Sequence, residues 1–179
     1  MRILGLDPSV RNFGVSLIDD VGKLIYREVH QPQETHPNWW LVQNIKSWLE
    51  YLIREKNPGY VSIEYPLVHS SHGALIYAVY CSLVEMMTVK HVVWKAFFPQ
   101  SMRIFTGDKN STQLYRLERD KLTIECPDEK KISIHEFDAY LYAKLFQSYL
   151  NGNVKLIKSY AKYDCDLEYS NLGFYKGVV

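Results

Sequence analysis

Ile3-Leu4-Gly5-Leu6-Asp7-Pro8-Ser9, followed by Phe13-Gly14-Val15-Ser16-Leu17-Ile18, decides how this chain folds. The apolar run over residues 2–7 predicts a buried strand that ends on a carboxylate. The turn Pro8 to Asn12 leads into a second strand over 13–18. Asp19-Asp20-Val21-Gly22 then turns the chain into Lys23-Leu24-Ile25-Tyr26-Arg27-Glu28-Val29. Three strands joined by two short turns make an antiparallel meander.

Downstream the period changes. From Asn38 to Lys56, Val42, Ile45, Trp48, Leu49, Leu52 and Ile53 share one helical face, and Asn57-Pro58-Gly59 stops the helix. Tyr60-Val61-Ser62-Ile63-Glu64 is a short β-branched strand that again ends on a carboxylate, with Pro66 beyond it. A helix over about Ser71 to Val89 follows, then a fifth strand over His91 to Lys95. Pro99 to Phe105 reads as a short helix, Gly107 to Ser111 as a loop and Thr112 to Leu122 as a helix. Ser133-Ile134-His135-Glu136 has the spacing of a capping box and opens a helix running to Leu150.

This order predicts an α/β fold. Its sheet is mixed and five-stranded, an antiparallel meander plus two parallel strands, flanked by helices. Right-handed crossovers put the first strand at the centre, the meander on one side and the fourth and fifth strands on the other. Asp7 and Glu64, 57 positions apart, then stand at the same end of adjacent parallel strands, where open α/β sheets bind ligands. Residues 1–152 are expected to form one domain. Residues 153–179 form a C-terminal extension packed on it.

Composition sets the bounds. The 179 residues are 47% hydrophobic and 23% charged, which suits one globular domain. No apolar run is long enough to span a bilayer and no signal-peptide pattern opens the chain, so a soluble intracellular protein is expected, in the cytoplasm or nucleoid. Cys81, Cys126 and Cys165 are widely spaced, which indicates neither a disulfide framework nor a zinc site. A net charge of +1 does not announce a nucleic-acid binder; a phosphate-binding surface would need the 21 Lys and Arg residues to cluster.

Buried carboxylates at strand ends need a partner or a metal. Each of the two has an ordinary alternative, as a turn residue or a solvated strand end. His135 and Asp138, three apart, project from one helical face beside Ala139 and Tyr142, and small Ala139 would let that helix lie close to the sheet. They too could be plain first-turn residues. Their convergence at one end of one sheet is what favours chemistry. An Asp- and Glu-rich site suits magnesium, with manganese able to substitute. Two such ions about 4 Å apart can activate water and stabilise the leaving oxygen of a phosphodiester. On this reading Asp7 bridges the ions, and Glu64, Asp138 and His135 complete the shell.

Three motifs carry a resemblance. Ile3 to Ser9 with Asn12-Phe13-Gly14-Val15 resembles the opening of the RuvC-like Holliday-junction resolvases, a family of RNase H-like fold. Val61-Ser62-Ile63-Glu64-Tyr65 resembles their second acidic strand, and His135-Glu136-Phe137-Asp138-Ala139 their final helix, over roughly residues 1–150. The resemblance implies a magnesium-dependent endodeoxyribonuclease with Asp7, Glu64, His135 and Asp138 as metal-binding catalytic residues. It implies a homodimer that nicks opposing strands of a four-way junction. The chain departs from the pattern at several points. Ser9 stands where the family often has glycine, and Ala78-Val79-Tyr80-Cys81-Ser82 replaces a glycine-bearing part of the second helix. Leu67 occupies the place of an aromatic wedge. Leu67, Lys109 and Arg11 are the candidate DNA contacts. The pattern is that of a divergent member, a viral one among the readings.

Other features have ordinary readings beside functional ones. His69 and His72 could face DNA or be surface residues, and Trp39, Trp40 and Trp48 suit core or interface. Met86 and Met87 suit packing. Lys155 to Tyr163 alternates basic and aromatic residues, as a DNA grip or as an edge segment packed on the domain. Three rival functions stand. A sugar-kinase- or actin-type phosphate-binding fold would need a second domain. A nuclease of flaps, single strands or RNA–DNA hybrids would keep the fold. A non-catalytic junction-binding protein would not need four metal ligands.

Overall fold

In a computed structural model the described residues are 1–32, 37–66, 73–107, 111–126 and 131–153. Leu67, His69, His72, Lys109, Cys165 and the extension beyond residue 153 lie outside them.

Strands β1 (Ile3–Asp7), β2 (Phe13–Ile18) and β3 (Leu24–His30) form the meander, and β4 (Tyr60–Glu64) and β5 (Val93–Phe97) complete the sheet. The order is β3-β2-β1-β4-β5, with β1 antiparallel to β2 and parallel to β4. β1 is thus central and the acidic strands adjacent, as the crossover rule requires. Helices α1 (Asn38–Lys56), α2 (Gly73–Val89), α3 (Pro99–Phe105), α4 (Ser111–Glu125) and α5 (Ile134–Leu150) flank it.

The helix ends follow local chemistry. α1 stops at Asn57, which takes the left-handed conformation at φ 45° and donates its N–H to Ile53. α5 opens on the capping box: the Ser133 hydroxyl accepts from the Glu136 N–H, and Glu136 accepts from the Ser133 N–H at 2.5 Å. The fifth strand departs from expectation by two residues. His91 adopts φ 56°, and the N–H groups of Lys90, His91 and Val92 close the end of α2 onto Met86, Thr88 and Met87. The β-branched run therefore begins as a helix cap, and pairing starts only at Val93.

Two cores fill the two faces. Leu4, Leu6, Phe13, Val15, Val61, Ile63 and Trp94 pack under α1 and α2 with Ile45, Leu49, Leu83 and Met87. Ile3, Ile18, Leu24 and Phe97 pack with Phe137, Leu145 and Phe146 under α5. Met86 and Met87 are core, and Trp48 borders it; Trp39 is exposed.

Candidate active site

Strand alternation settles which face carries the acids. Residues 3, 5 and 7 of β1 and 60, 62 and 64 of β4 point to the α5 side. Leu6 pairs with Ile63, so Asp7 and Glu64 come next, side by side at the strand ends. Across β2, Asp7 stands opposite Gly14.

α5 lies almost on the strand backbones. A Cβ on Gly5 would fall 1.8 Å from the Ala139 carbonyl oxygen, and one on Gly14 would fall 2.2 Å from that of His135. Only residues without side chains permit this approach. Two hydroxyls fasten it: Ser16 donates to the Glu136 carbonyl at 2.6 Å and Ser62 to the Tyr142 carbonyl at 2.8 Å. Beneath the first turn, Glu136 forms a buried ion pair with Arg27 of β3 at 3.0 Å, and Arg27 also donates to the Cys126 carbonyl. Glu136 thus belongs to the mounting of the helix, while its neighbours His135 and Asp138 face the strand ends.

There the four predicted residues meet. His135 Nδ1 lies 2.8 Å from Asp7 Oδ2, and since a carboxylate only accepts, the ring nitrogen donates. Glu64 stands next to Asp7 at the strand ends, close enough that Asp7, Asp138 and Tyr142 all act on its carboxyl. Asp138, one turn along α5, has Oδ1 buried and adds its charge to the group. Tyr142, on the same helical face as Asp138, received no role in the sequence reading.

Crowded negative charge shows in the titration of its members. Burial, then Asp7 and Asp138, push the Glu64 carboxyl well above its usual range, while Tyr142 pulls the other way. The hydrogen bond that His135 donates to Asp7 raises its imidazole against the opposing effect of burial. Burial and the neighbouring carboxylates push the Tyr142 phenol well up. The Glu64 and His135 shifts both favour the protonated forms, at a place where a bound cation would also offset the negative charge. The donor set, three carboxylates and an imidazole, is the chemistry of a magnesium or manganese site. Among the described residues no three such side chains are drawn together as a ready-made cage.

Around this end, Ser9 accepts weakly from the N–H groups of Arg11 and Asn12, each at 3.4 Å, so its hydroxyl closes the turn. Arg11 is exposed in that turn, on the same rim as Asp7. Gln31 donates to Asn12 at 2.7 Å and ties the turn to the end of β3.

Solved structures with this architecture can now be set beside it. Thermus thermophilus RuvC superposes with a TM-score of 0.69 over 88% of this chain and 100% of its own, at 16% identity. The chain has the fold of RuvC. The same enzyme solved with a Holliday junction substrate matches equally, at 0.69 over 88% of this chain and 99% of that one, also at 16% identity. The yeast mitochondrial Holliday junction resolvase Ydc2 matches at 0.59, over 92% of this chain and 83% of its own, at 15% identity. The RNase H-like architecture expected from the meander and the two parallel strands is therefore the observed one. No protein-family model and no curated protein matches the sequence. Among the described residues no helix is long and apolar enough to cross a membrane.

Proposed function

We propose that this protein is a metal-dependent endonuclease that resolves four-way DNA junctions by paired nicks. One observation carries the reading: on a RuvC fold, Asp7, Glu64, His135 and Asp138 converge at the carboxyl ends of β1 and β4. The solved relatives are described as a Holliday junction resolvase and as RuvC bound to a junction, and branched DNA is the substrate class this suggests.

Asp7, Glu64, Asp138 and His135 would hold magnesium, two ions on this reading, with manganese able to substitute. Bound there, the metal supplies charge stabilisation at the phosphoryl oxygens and an activated water. The chain's own groups do the rest. Asp7, central in the group, orients His135 through Nδ1. His135 holds a proton at the rim, and its side chain, 33% exposed against 12% for Asp7, is more open to solvent than its carboxylate partner. Ser16, Ser62, Gly5 and Gly14 fix α5, and hence His135 and Asp138, over the strand ends.

Cutting two opposing strands calls for two sites, and α2 offers a surface for pairing two copies. Its outer side presents Ala74, Tyr77, Ala78 and Cys81, small or aromatic and uncharged, with Glu85 one turn beyond, while Val79 and Tyr80 turn inward. A homodimer through this face fits the symmetry of a junction. Residues 1–152 would be the nuclease domain, working in solution inside the cell or a host. Arg11, Leu67 and Lys109 remain the proposed DNA contacts.

The test is cleavage of an end-labelled four-way junction in magnesium and in chelator, beside linear duplex, flap and RNA–DNA hybrid. Symmetric nicks in the junction alone, lost in chelator and in Asp7→Asn, are the expected result. Cleavage of flap or hybrid in preference would move the substrate while keeping the chemistry. Binding without cleavage by folded wild type in either metal would overturn it.

A further inference from the structure

The ladder between β2 and β3 continues past its last backbone pair through side chains. Phe13 pairs with His30, and one step further Gln31 donates through Nε2 to Asn12 Oδ1 at 2.7 Å. Alternation along the strands assigns the faces. His30 turns to the α1 side, where it stacks on Trp48 at 4.4 Å and hydrogen-bonds Asn44 at 2.6 Å. Asn12 falls in step with Gly14 and Ser16, on the face that carries α5. Gly14 lies beneath His135 and pairs with Asp7. Two residues along β2 and one strand across, Asn12 stands roughly 8 Å from Asp7 between Cα atoms, on the open side of the acids.

The bond from Gln31 occupies the Asn12 oxygen. It leaves the Asn12 nitrogen, with its two donors, without a hydrogen bond among the described residues. An amide pair this open to solvent adds little stability, since water serves either group nearly as well. Its effect is to hold one orientation of Asn12, with a donor-only group at the mouth of a site rich in carboxylates. A phosphate oxygen only accepts, and carboxamides are ordinary partners of the nucleic-acid backbone. A lysine or arginine here would pair with Asp7 and compete with a metal; a neutral carboxamide does neither.

We infer that Asn12 is a DNA-binding residue, donating through Nδ2 to a phosphate oxygen next to the linkage that is cut, and that Gln31 positions it. The inference deepens the functional reading above and rests on it for the presence of a nucleic-acid strand.

The test uses the full chain in chelator, with binding read by fluorescence anisotropy. The probes are four-way junctions carrying one methylphosphonate, a methyl in place of a charged phosphate oxygen, at each linkage flanking the cut. Asn12→Ala should unfold at the wild-type temperature and bind the unmodified junction about 10-fold more weakly. One methylphosphonate should weaken the wild type by a similar factor and Asn12→Ala no further. Gln31→Ala should lose about 3-fold, and the double variant no more than Asn12→Ala alone. Asn12 carries no charge, so its removal should leave the salt slope of binding unchanged, whereas Arg11→Ala should lower it by about 1. Wild-type affinity in Asn12→Ala, or the same methylphosphonate pattern in both proteins, overturns the inference while the functional reading stands. Should the wild type bind a flap or hybrid in place of the junction, the same variants on that substrate decide what Asn12 does. A wild type that binds no nucleic acid refutes the functional reading, and the inference falls with it.

Discussion

On the face of the sheet covered by α1 and α2, β1 presents Leu4 and Leu6, β2 presents Phe13, Val15 and Leu17, and β4 presents Val61 and Ile63. On the α5 face the centres of the same strands present Gly5, Gly14, Ser16 and Ser62. The first face is filled by large side chains, and its contribution scales with apolar area removed from water. The second is cleared of side chains, so that a helix backbone can touch strand backbones. One strand thus serves stability on one side and placement on the other. The difference teaches where function is sensitive: a change of volume on the first face costs folding, whereas on the second it also moves His135 and Asp138.

Removing the central carboxylate should have the largest effect. Asp7→Asn keeps shape and hydrogen-bonding capacity, so the variant should fold and bind a junction. Its cleavage rate should fall on the order of 10³-fold, read from single-turnover kinetics in magnesium. The two faces separate at the next level. Leu6→Ala opens a cavity and should cost about 2–5 kcal/mol in urea denaturation, while activity per folded molecule stays within about 3-fold of wild type. Gly5→Ala places a methyl where the Ala139 carbonyl already lies, and α5 must lift. Its stability cost should be comparable, about 3 kcal/mol, but activity per folded molecule should drop about 100-fold, as misplacement of reacting groups implies. Equal losses of specific activity in the two variants would break the comparison.

Apolar periodicity and strand-end acids made most of this legible. The strand order followed from the crossover rule, which put Asp7 and Glu64 side by side, and helical spacing put His135 and Asp138 on one face of α5. What was not legible depended on three-dimensional partners. Ala139 announced a close helix, but nothing in the sequence says that Gly5 and Gly14 lie beneath it, because glycine in a strand has several meanings. Tyr142 reads as one more aromatic until Glu64 is placed beside it. The fifth strand was misplaced by two residues because a left-handed His91 has no local signature. Arg27 drew no separate reading from the sequence, and its burial against Glu136 comes from α4 and α5 covering that edge.

That ion pair sharpens the comparison, since it lies on the α5 face yet outside the group proposed to hold metal. Arg27→Met leaves Glu136 buried without its cation and should destabilise the fold by about 3–5 kcal/mol. Adding Glu136→Gln removes the stranded charge and preserves an acceptor for the Ser133 N–H, so more than half of the loss should return. Denaturation of the two single variants and the double variant measures this. Cleavage per folded molecule should change only a few-fold in all three, because the glycines and serines still seat the helix. A collapse in cleavage by the well-folded double variant would show that the ion pair also sets the position of His135.

The smallest effect expected is one of pH, and its sign follows from the protons on the site. Glu64 titrates well above its usual 4.5 and His135 above its usual 6.5, so in both windows the native state binds more protons than the unfolded chain. Stability in chelator must then fall as pH rises, first above 4.5 for Glu64 and again above 6.5 for His135. For His135 the added stability is complete below 6.5 and is lost through its raised native value. For Glu64 the same slope is a penalty that grows as the unfolded carboxyl ionises and the native one does not. Leu6→Ala, acting on the opposite face, should lower this curve without changing its shape, whereas Asp7→Asn should flatten it by removing the group that raises both neighbours. Magnesium or manganese competes with the same protons, so its binding should tighten with pH and release protons, measured by calorimetry in buffers of different ionisation enthalpy. Metal affinity that stays constant from pH 5 to 8 would mean that the ion displaces no protons from Glu64 or His135, and that these residues do not hold it.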